Sequence, residues 1–578
     1  MKFYKKSLFV LSLLSLSLVN LSSCSSAKGA YDEIIYVLNA EDYIDESLLG
    51  AFEGEVLERD GKKIKVVYET YDTNETMYNT LKTGKQNYDI ACCSDYMIQR
   101  LVREGMAKSF IPALNDGLLD NYKNLVSPFL ASYTGNNDAK LNKIDVNVPV
   151  YDENGNITDY EEGHYLNEYA IGYMWGTLGI IYNPELILKN NNANFNSYEA
   201  TKDLSHEKRI QYIIDDMSSL NGWDSLWNPL YKGNASIKDS MRDTYAVGIM
   251  KHYKDYFDPN SSLYIKDFDA RNEQFNKCDD ETIKAVQGEL IKLKDNIFGF
   301  EVDSGKDDIV TQKVGINIAW SGDAVNSIGR GYFADEDFEE VRPEDKQVNL
   351  YYSIPKLGAN VWFDAWFLPT HEDSYYETDQ YKYAMEFLDF LNDPENAVAN
   401  MSYNGYTTFM GSDSDDVSVL AYTLDSYDLS DGVDEEDFSQ YNSYDLSYYF
   451  PFEATSEPLK IEAGEGEDAR TFEFSDENGD GYYDIIVHTD LNAYEGRALI
   501  AQYPQTSDVD SLYVMKDFGN KNNDIVQMWE NVKVNPLPAW VVVTLLVFLF
   551  GIIGYFGSYK LIRKYKLKKR KELRKEEN

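Results

Sequence analysis

The sequence predicts an α/β fold of two lobes joined by a hinge, with a cleft between the lobes and a membrane-spanning helix near the C-terminal end. Three observations carry this expectation. The first third alternates short β-rich runs with helical ones, the order that builds parallel βαβ units. A second cycle opens near Gly179 and again drives an apolar strand into a polar turn. About 500 residues lie between the terminal segments, more than one hydrophobic core serves.

At the N-terminus Lys2, Lys5 and Lys6 precede an apolar run from Leu8 to Leu21, the layout of a secretory signal over residues 1–23. It closes in Leu21-Ser22-Ser23-Cys24, which resembles the lipobox of bacterial lipoproteins and implies that Cys24 carries lipid. Ile34 to Leu38, Ile64 to Tyr68 and Tyr88 to Cys93 read as strands, with helices over Glu75 to Leu81 and Tyr96 to Glu104 between and after them. Ser94 can cap the second helix and Gly105 can close it. The corner Ser94-Asp95-Tyr96 therefore sits at the carboxyl end of a strand, where open α/β sheets bind ligands. Val148 to His164 reads as a surface hairpin around Asn154-Gly155.

The second cycle comprises Gly179 to Tyr182 and Ile316 to Trp320, the latter entering Ser321-Gly322-Asp323. Ala384, Phe387, Leu388 and Leu391 have the spacing of a helix with one buried face, stopped before Pro394. The expected division is 24–176 and 364–410 for lobe 1, and 177–363 and 506–535 for lobe 2. Residues 411–505 turn acidic, Tyr- and Ser-rich and lose periodicity, and are expected to be an insertion. Within them the oxygens of Asp476, Asn478, Asp480 and Asp484 alternate around Gly481, the spacing of a loop that wraps Ca2+. The twelfth place holds Val487 where such a loop carries Glu, and the same residues fit a turn between two strands. An ion there would be structural and remote from the cleft.

Leu537 to Phe556 is apolar and long enough to cross a bilayer, so 536–558 is expected to span it. The ten Lys and Arg between Lys560 and Lys575 place the tail, 559–578, in the cytoplasm and everything before the span outside. A formal net charge of −44, tail included, argues against nucleic acid and suits a cationic partner. Four Cys, two of them adjacent, form no disulfide framework. The five His are dispersed, with no zinc spacing, no phosphate loop and no GxSxG elbow, so no enzyme and no cofactor beyond the structural Ca2+ is expected.

Several blocks recur in a fixed order: Asn39 to Tyr43, Thr70 to Tyr78, Tyr88-Asp89, Ser94-Asp95-Tyr96, Arg103-Glu104-Gly105-Met106 and Trp175-Gly176-Thr177. After them come Trp223 to Gly233, Asp239 to Asp243, Trp320-Ser321-Gly322, Trp362-Phe363-Asp364 and Asn404-Gly405-Tyr406. In these blocks the chain resembles the spermidine/putrescine-binding proteins of ABC importers, which have the two-lobed periplasmic-binding-protein type II fold. The resemblance implies a polyamine ligand, a membrane permease and a separate ATPase as partners. It implies Trp320 and Trp362 as walls of an aromatic cage, Tyr43, Tyr96 and Tyr406 as smaller walls, and Ser94 as a polar contact. Asp243 and Asp364 would receive the ammonium groups. Ala40 and Ser240 depart from the pattern, where a wall aromatic and a second carboxylate can stand. The alternative role is a membrane-anchored surface sensor or adhesion protein on the same fold.

Overall fold

The computed structural model describes residues 30–84, 86–134, 144–301, 304–334, 340–411, 417–430, 440–464, 469–509, 511–534 and 539–576. The signal segment and Cys24 lie outside the described residues. The described residues up to Ile525 form one compact unit and those from Val526 on a second.

In the first unit the βαβ alternation appears where the sequence places it. Strands β1 (Glu33–Ala40), β2 (Ile64–Tyr71) and β3 (Ile90–Ser94) are parallel neighbours, with helices Ser47–Asp60 and Asn74–Thr83 as crossovers. The second set is β4 (Ile171–Tyr182), β5 (Ala235–Lys238), β6 (Gly299–Glu301), β7 (Ile316–Trp320), β8 (Tyr351–Ser353) and β9 (Ala359–Pro369). All nine belong to one sheet in the order β2-β1-β3-β9-β4-β7-β5-β6, with β8 also against β4. Strand β4 links the two halves of this sheet. Its first half, Ile171 to Thr177, pairs with β9, and its second, Leu178 to Tyr182, pairs with β7. All twelve of its residues are buried, as expected of a central strand covered on both faces.

The helix Asp95–Arg103 follows β3 directly, and Gly105 closes the turn after it at φ 71°. The expected hairpin forms from Asp145–Tyr151 and Ile157–Tyr165. The expected helix before Pro394 runs Asp379–Leu391, capped by Thr378.

Residues 411–505 carry more structure than their composition suggests. Their described part contains helices Ser418–Tyr427 and Tyr494–Gln502 and two antiparallel strand pairs, Asn442–Asp445 with Ile486–Thr489 and Leu459–Ala463 with Arg470–Phe474. The tyrosines that look irregular in sequence bury themselves as rings. Tyr449 stacks on Trp175 of β4 at 5.8 Å, and Tyr494 stacks on Tyr332 at 5.0 Å.

Asp476 accepts from the amides of Gly479 and Gly481 at 2.7 and 3.0 Å. Asp484 accepts from the Glu477 amide and the Asn478 side chain, both at 2.7 Å, and Asp480 from the Tyr482 amide at 2.9 Å. These oxygens are engaged by the loop's own N–H groups, the turn alternative. Among the described residues no group of His, Cys, Asp and Glu is placed to hold a metal ion.

In the second unit Ala539–Glu576 is one helix. Among the described residues no helix is long and apolar enough to cross a membrane. Side chains at 539–542, 553, 556 and 557 lie outside the described ones. The expected span over 536–558 gains no support from the described residues.

Candidate functional site

The site is built where β3, β7 and β9 deliver side chains at the sheet's centre. Asp364 lies opposite Ser94 in the antiparallel pairing of β9 with β3. The register of β9 against β4 shifts between Asp364 and Ala365, and such an irregularity re-aims side chains. Ser94 has the extended backbone of a helix cap, yet its hydroxyl makes no capping bond. It donates to Asp364 Oδ1 at 2.6 Å, so the expected cap is diverted to the carboxylate. Tyr43 Oη donates to Asp364 Oδ2 at 2.8 Å.

Aromatic rings continue from there. Tyr43 meets Tyr406 edge to face at 5.3 Å, and Trp362 meets Tyr406 in the same manner at 5.4 Å. Tyr406 follows helix Pro394–Asn404, which ends at Gly405 with φ 77°. Its hydroxyl donates to Asp323 Oδ1 at 2.8 Å. The ring lies so close to Gly322 that a Cβ there would sit 2.2 Å from it.

Trp320 ends β7 and its indole is close enough to Asp243, in the first turn of helix Met241–His252, to favour that residue's carboxylate form. Ser240 caps that helix by accepting from the Asp243 amide at 3.3 Å. Lys238 at the end of β5 places Nζ 4.4 Å from the centre of the Trp320 ring and 3.0 Å from Asp323 Oδ2. On the other side, Asn74 Nδ2 donates to both Ser94 Oγ and Tyr96 Oη at 3.0 Å. The Arg242 guanidinium lies 4.3 Å from the centre of the Tyr96 ring and 3.9 Å from that of Phe518, and donates to the Lys516 carbonyl. Since Arg242 and Asp243 are neighbours in sequence, the contacts close into a ring. Of the eight residues singled out in the sequence, Tyr43, Ser94, Tyr96, Asp243, Trp320, Asp364 and Tyr406 stand on it, and Trp362 is attached to it through Tyr406.

Electrostatics divides the acids into two kinds. Burial pushes the Asp364 carboxyl up to about 6, against the pull of the Ser94 and Tyr43 hydroxyls, and the charge of Asp243 adds to the rise. Burial also raises Asp243, offset in part by Ser240, Lys238 and Trp320. Burial would raise Asp323 as well, but Lys238, Lys306 and the Tyr406 hydroxyl hold it below the usual carboxylate value. Burial and neighbouring acids raise Tyr43 and Tyr406, so both phenols stay protonated donors.

The profile of a family described as bacterial extracellular solute-binding protein matches residues 51–422, a stretch that contains every residue of this ring but Tyr43 and Phe518. The chain belongs to that family. This solute-binding protein is 25% identical to the putrescine-binding periplasmic protein SpuD of Pseudomonas aeruginosa, over 66% of its own length and 80% of the relative's. It is 24% identical to the spermidine/putrescine-binding periplasmic protein of Escherichia coli, with the same coverage. A solved structure described as a putative spermidine/putrescine ABC transporter from Listeria monocytogenes aligns with a TM-score of 0.49 at 19% identity, covering 87% of this chain and 99% of that one.

Membership makes the chain a binding protein and not an enzyme. Asn74, Lys238, Arg242 and Asp323 of this solute-binding protein join the candidate site in the structure and were not singled out in the sequence. Asn74 and Asp323 stand inside or next to blocks that were singled out; Lys238 and Arg242 flank the acids of Asp239 to Asp243 and read there as surface charge.

Proposed function

We propose that this protein captures a polyamine outside the cytoplasm and presents it to the membrane permease of an ABC importer. The observation that carries the reading is a pair of acids within a ring of aromatic faces, the half-buried Asp364 held by the Tyr43 and Ser94 hydroxyls and the buried Asp243. An uncompensated buried carboxylate is costly, so the pair favours a guest that brings positive charge. An ammonium over an aromatic face gains roughly 0.5–2 kcal/mol, and the same rings cover methylene groups. Polyamine binding by the two bacterial relatives supports the same ligand class. A guest touching residues of both lobes, taken as 24–176 with 364–410 and 177–363 with 506–535, favours the closed state by its differential affinity.

Calorimetric titration with putrescine, spermidine and spermine tests this directly. Saturable 1:1 binding of at least one amine is expected, and no saturable binding of any would remove the ligand assignment.

We further infer attachment to the membrane at Cys24 and over Leu537 to Phe556. The support is the sequence: a small-residue triplet closing a signal segment, and an unbroken apolar run followed by a basic tail. Deleting 537–578 together with Cys24→Ala should release the protein into the soluble fraction; retention with membranes would refute the anchoring.

A further inference from the structure

Two of the five aromatic walls already face a cation of the protein itself. Lys238 is 3% exposed, its ammonium on the Trp320 ring and against Asp323 at 3.0 Å and Glu301 at 3.6 Å. Arg242 is 4% exposed, its guanidinium between Tyr96 and Phe518, and its charge bears on the buried Asp95. Lys238 answers Asp323, which Lys306 also approaches at 3.8 Å. With Asp323 and Asp95 answered in this way, Asp364 and Asp243 are the acids of the ring without an ion-pair contact among the described residues, the charges of Lys238 and Arg242 bearing on Asp243 only through space. Ser240, where a further carboxylate could have stood, is occupied as a helix cap.

We propose that Lys238 and Arg242 are built-in cations that set the charge of the guest, so that the site takes a dication, an α,ω-diamine, in preference to a tri- or tetraamine. The inference rests on the polyamine reading of the same site and narrows it. A third ammonium would sit near Lys238 or Arg242, where like charges in a buried site repel strongly. Lys238 is the residue whose removal changes this most. Without it, Asp323, Glu301 and the Trp320 face form a vacant ammonium position, and a triamine fits better than a diamine.

The test is calorimetry of the full chain and of Lys238→Met with putrescine, cadaverine, spermidine and spermine. The wild type is expected to bind a diamine at least about tenfold more tightly than spermidine. In K238M the ratio of spermidine to putrescine affinity is expected to rise at least about tenfold. Equal or tighter spermidine binding by the wild type overturns the inference and leaves the polyamine reading standing; failure of every amine to bind overturns both. Should K238M not fold, which its melting curve shows, the wild-type ratio decides alone.

Discussion

Asp364→Asn is expected to lower polyamine affinity by at least about 100-fold while leaving the empty protein as stable as the wild type or more stable. The two effects have one cause. The carboxyl titrates at about 6 in the folded chain against 3.8 when solvated, so between these values the native state holds more protons than the unfolded one. Stability from this group therefore falls as pH rises from about 4 to 6 and stays reduced above it. The neutral amide removes that cost and still accepts one hydroxyl hydrogen bond. A bound ammonium, by contrast, loses its charged partner in a buried site, a loss of about 3–5 kcal/mol. Wild-type affinity should weaken by up to about tenfold per pH unit below 6, whereas D364N loses the Asp364 part of that slope. Calorimetry from pH 5 to 8 with parallel melting curves checks both; D364N binding within about threefold of wild type would show that Asp364 does not receive an ammonium.

The parts of the fold that were legible were those with a local signature. Ile316–Trp320 is a run of apolar residues bounded by turn signals, and the strand occupies those residues. β3 begins at Ile90 and not at Tyr88, because Asp89 is engaged otherwise: it accepts from the Tyr36 amide at 2.7 Å and the Tyr375 hydroxyl at 2.6 Å. β4 was legible only in its last four residues. It contains Gly172, Gly176 and Gly179, which weaken a strand by propensity, and here make room for the rings of Phe409, Trp362 and Tyr352. The tyrosines of 411–505 obey no period because rings such as Tyr449 and Tyr494 pack against partners distant in sequence, Trp175 and Tyr332. The candidate site divides in the same way. Its rings and acids lie in recognisable blocks, whereas Lys238 and Arg242 next to Asp239 and Asp243 look like a solvated charge run, and only tertiary proximity to Trp320 and Tyr96 reveals them as buried.

Trp362→Ala is expected to destabilise the fold by about 3–5 kcal/mol and to abolish binding, and Gly176→Ala to reproduce the binding loss with residue 362 unchanged. Trp362 is 8% exposed and lies between the Tyr406 ring and the backbone of β4. The approach to β4 exists because residue 176 has no side chain. A Cβ there would stand 2.6 Å from Trp362 Cζ2 and 2.3 Å from Ser321 Oγ, closer than atoms pack. Ser321 Oγ also accepts from the Thr177 amide at 3.2 Å, so a methyl at 176 displaces that hydroxyl and the indole together. Overpacking of this kind costs about 1–3 kcal/mol, which the folded state can bear. If the cage geometry governs affinity, G176A retains a cooperative melt yet binds at least about 30-fold more weakly, and the double variant G176A/W362F, with a smaller ring, regains part of the loss. Undiminished affinity in G176A would mean that Trp362 packs the interior of β9 without facing the ligand, and the ring of contacts would then owe its closure to Tyr43 and Tyr406 alone.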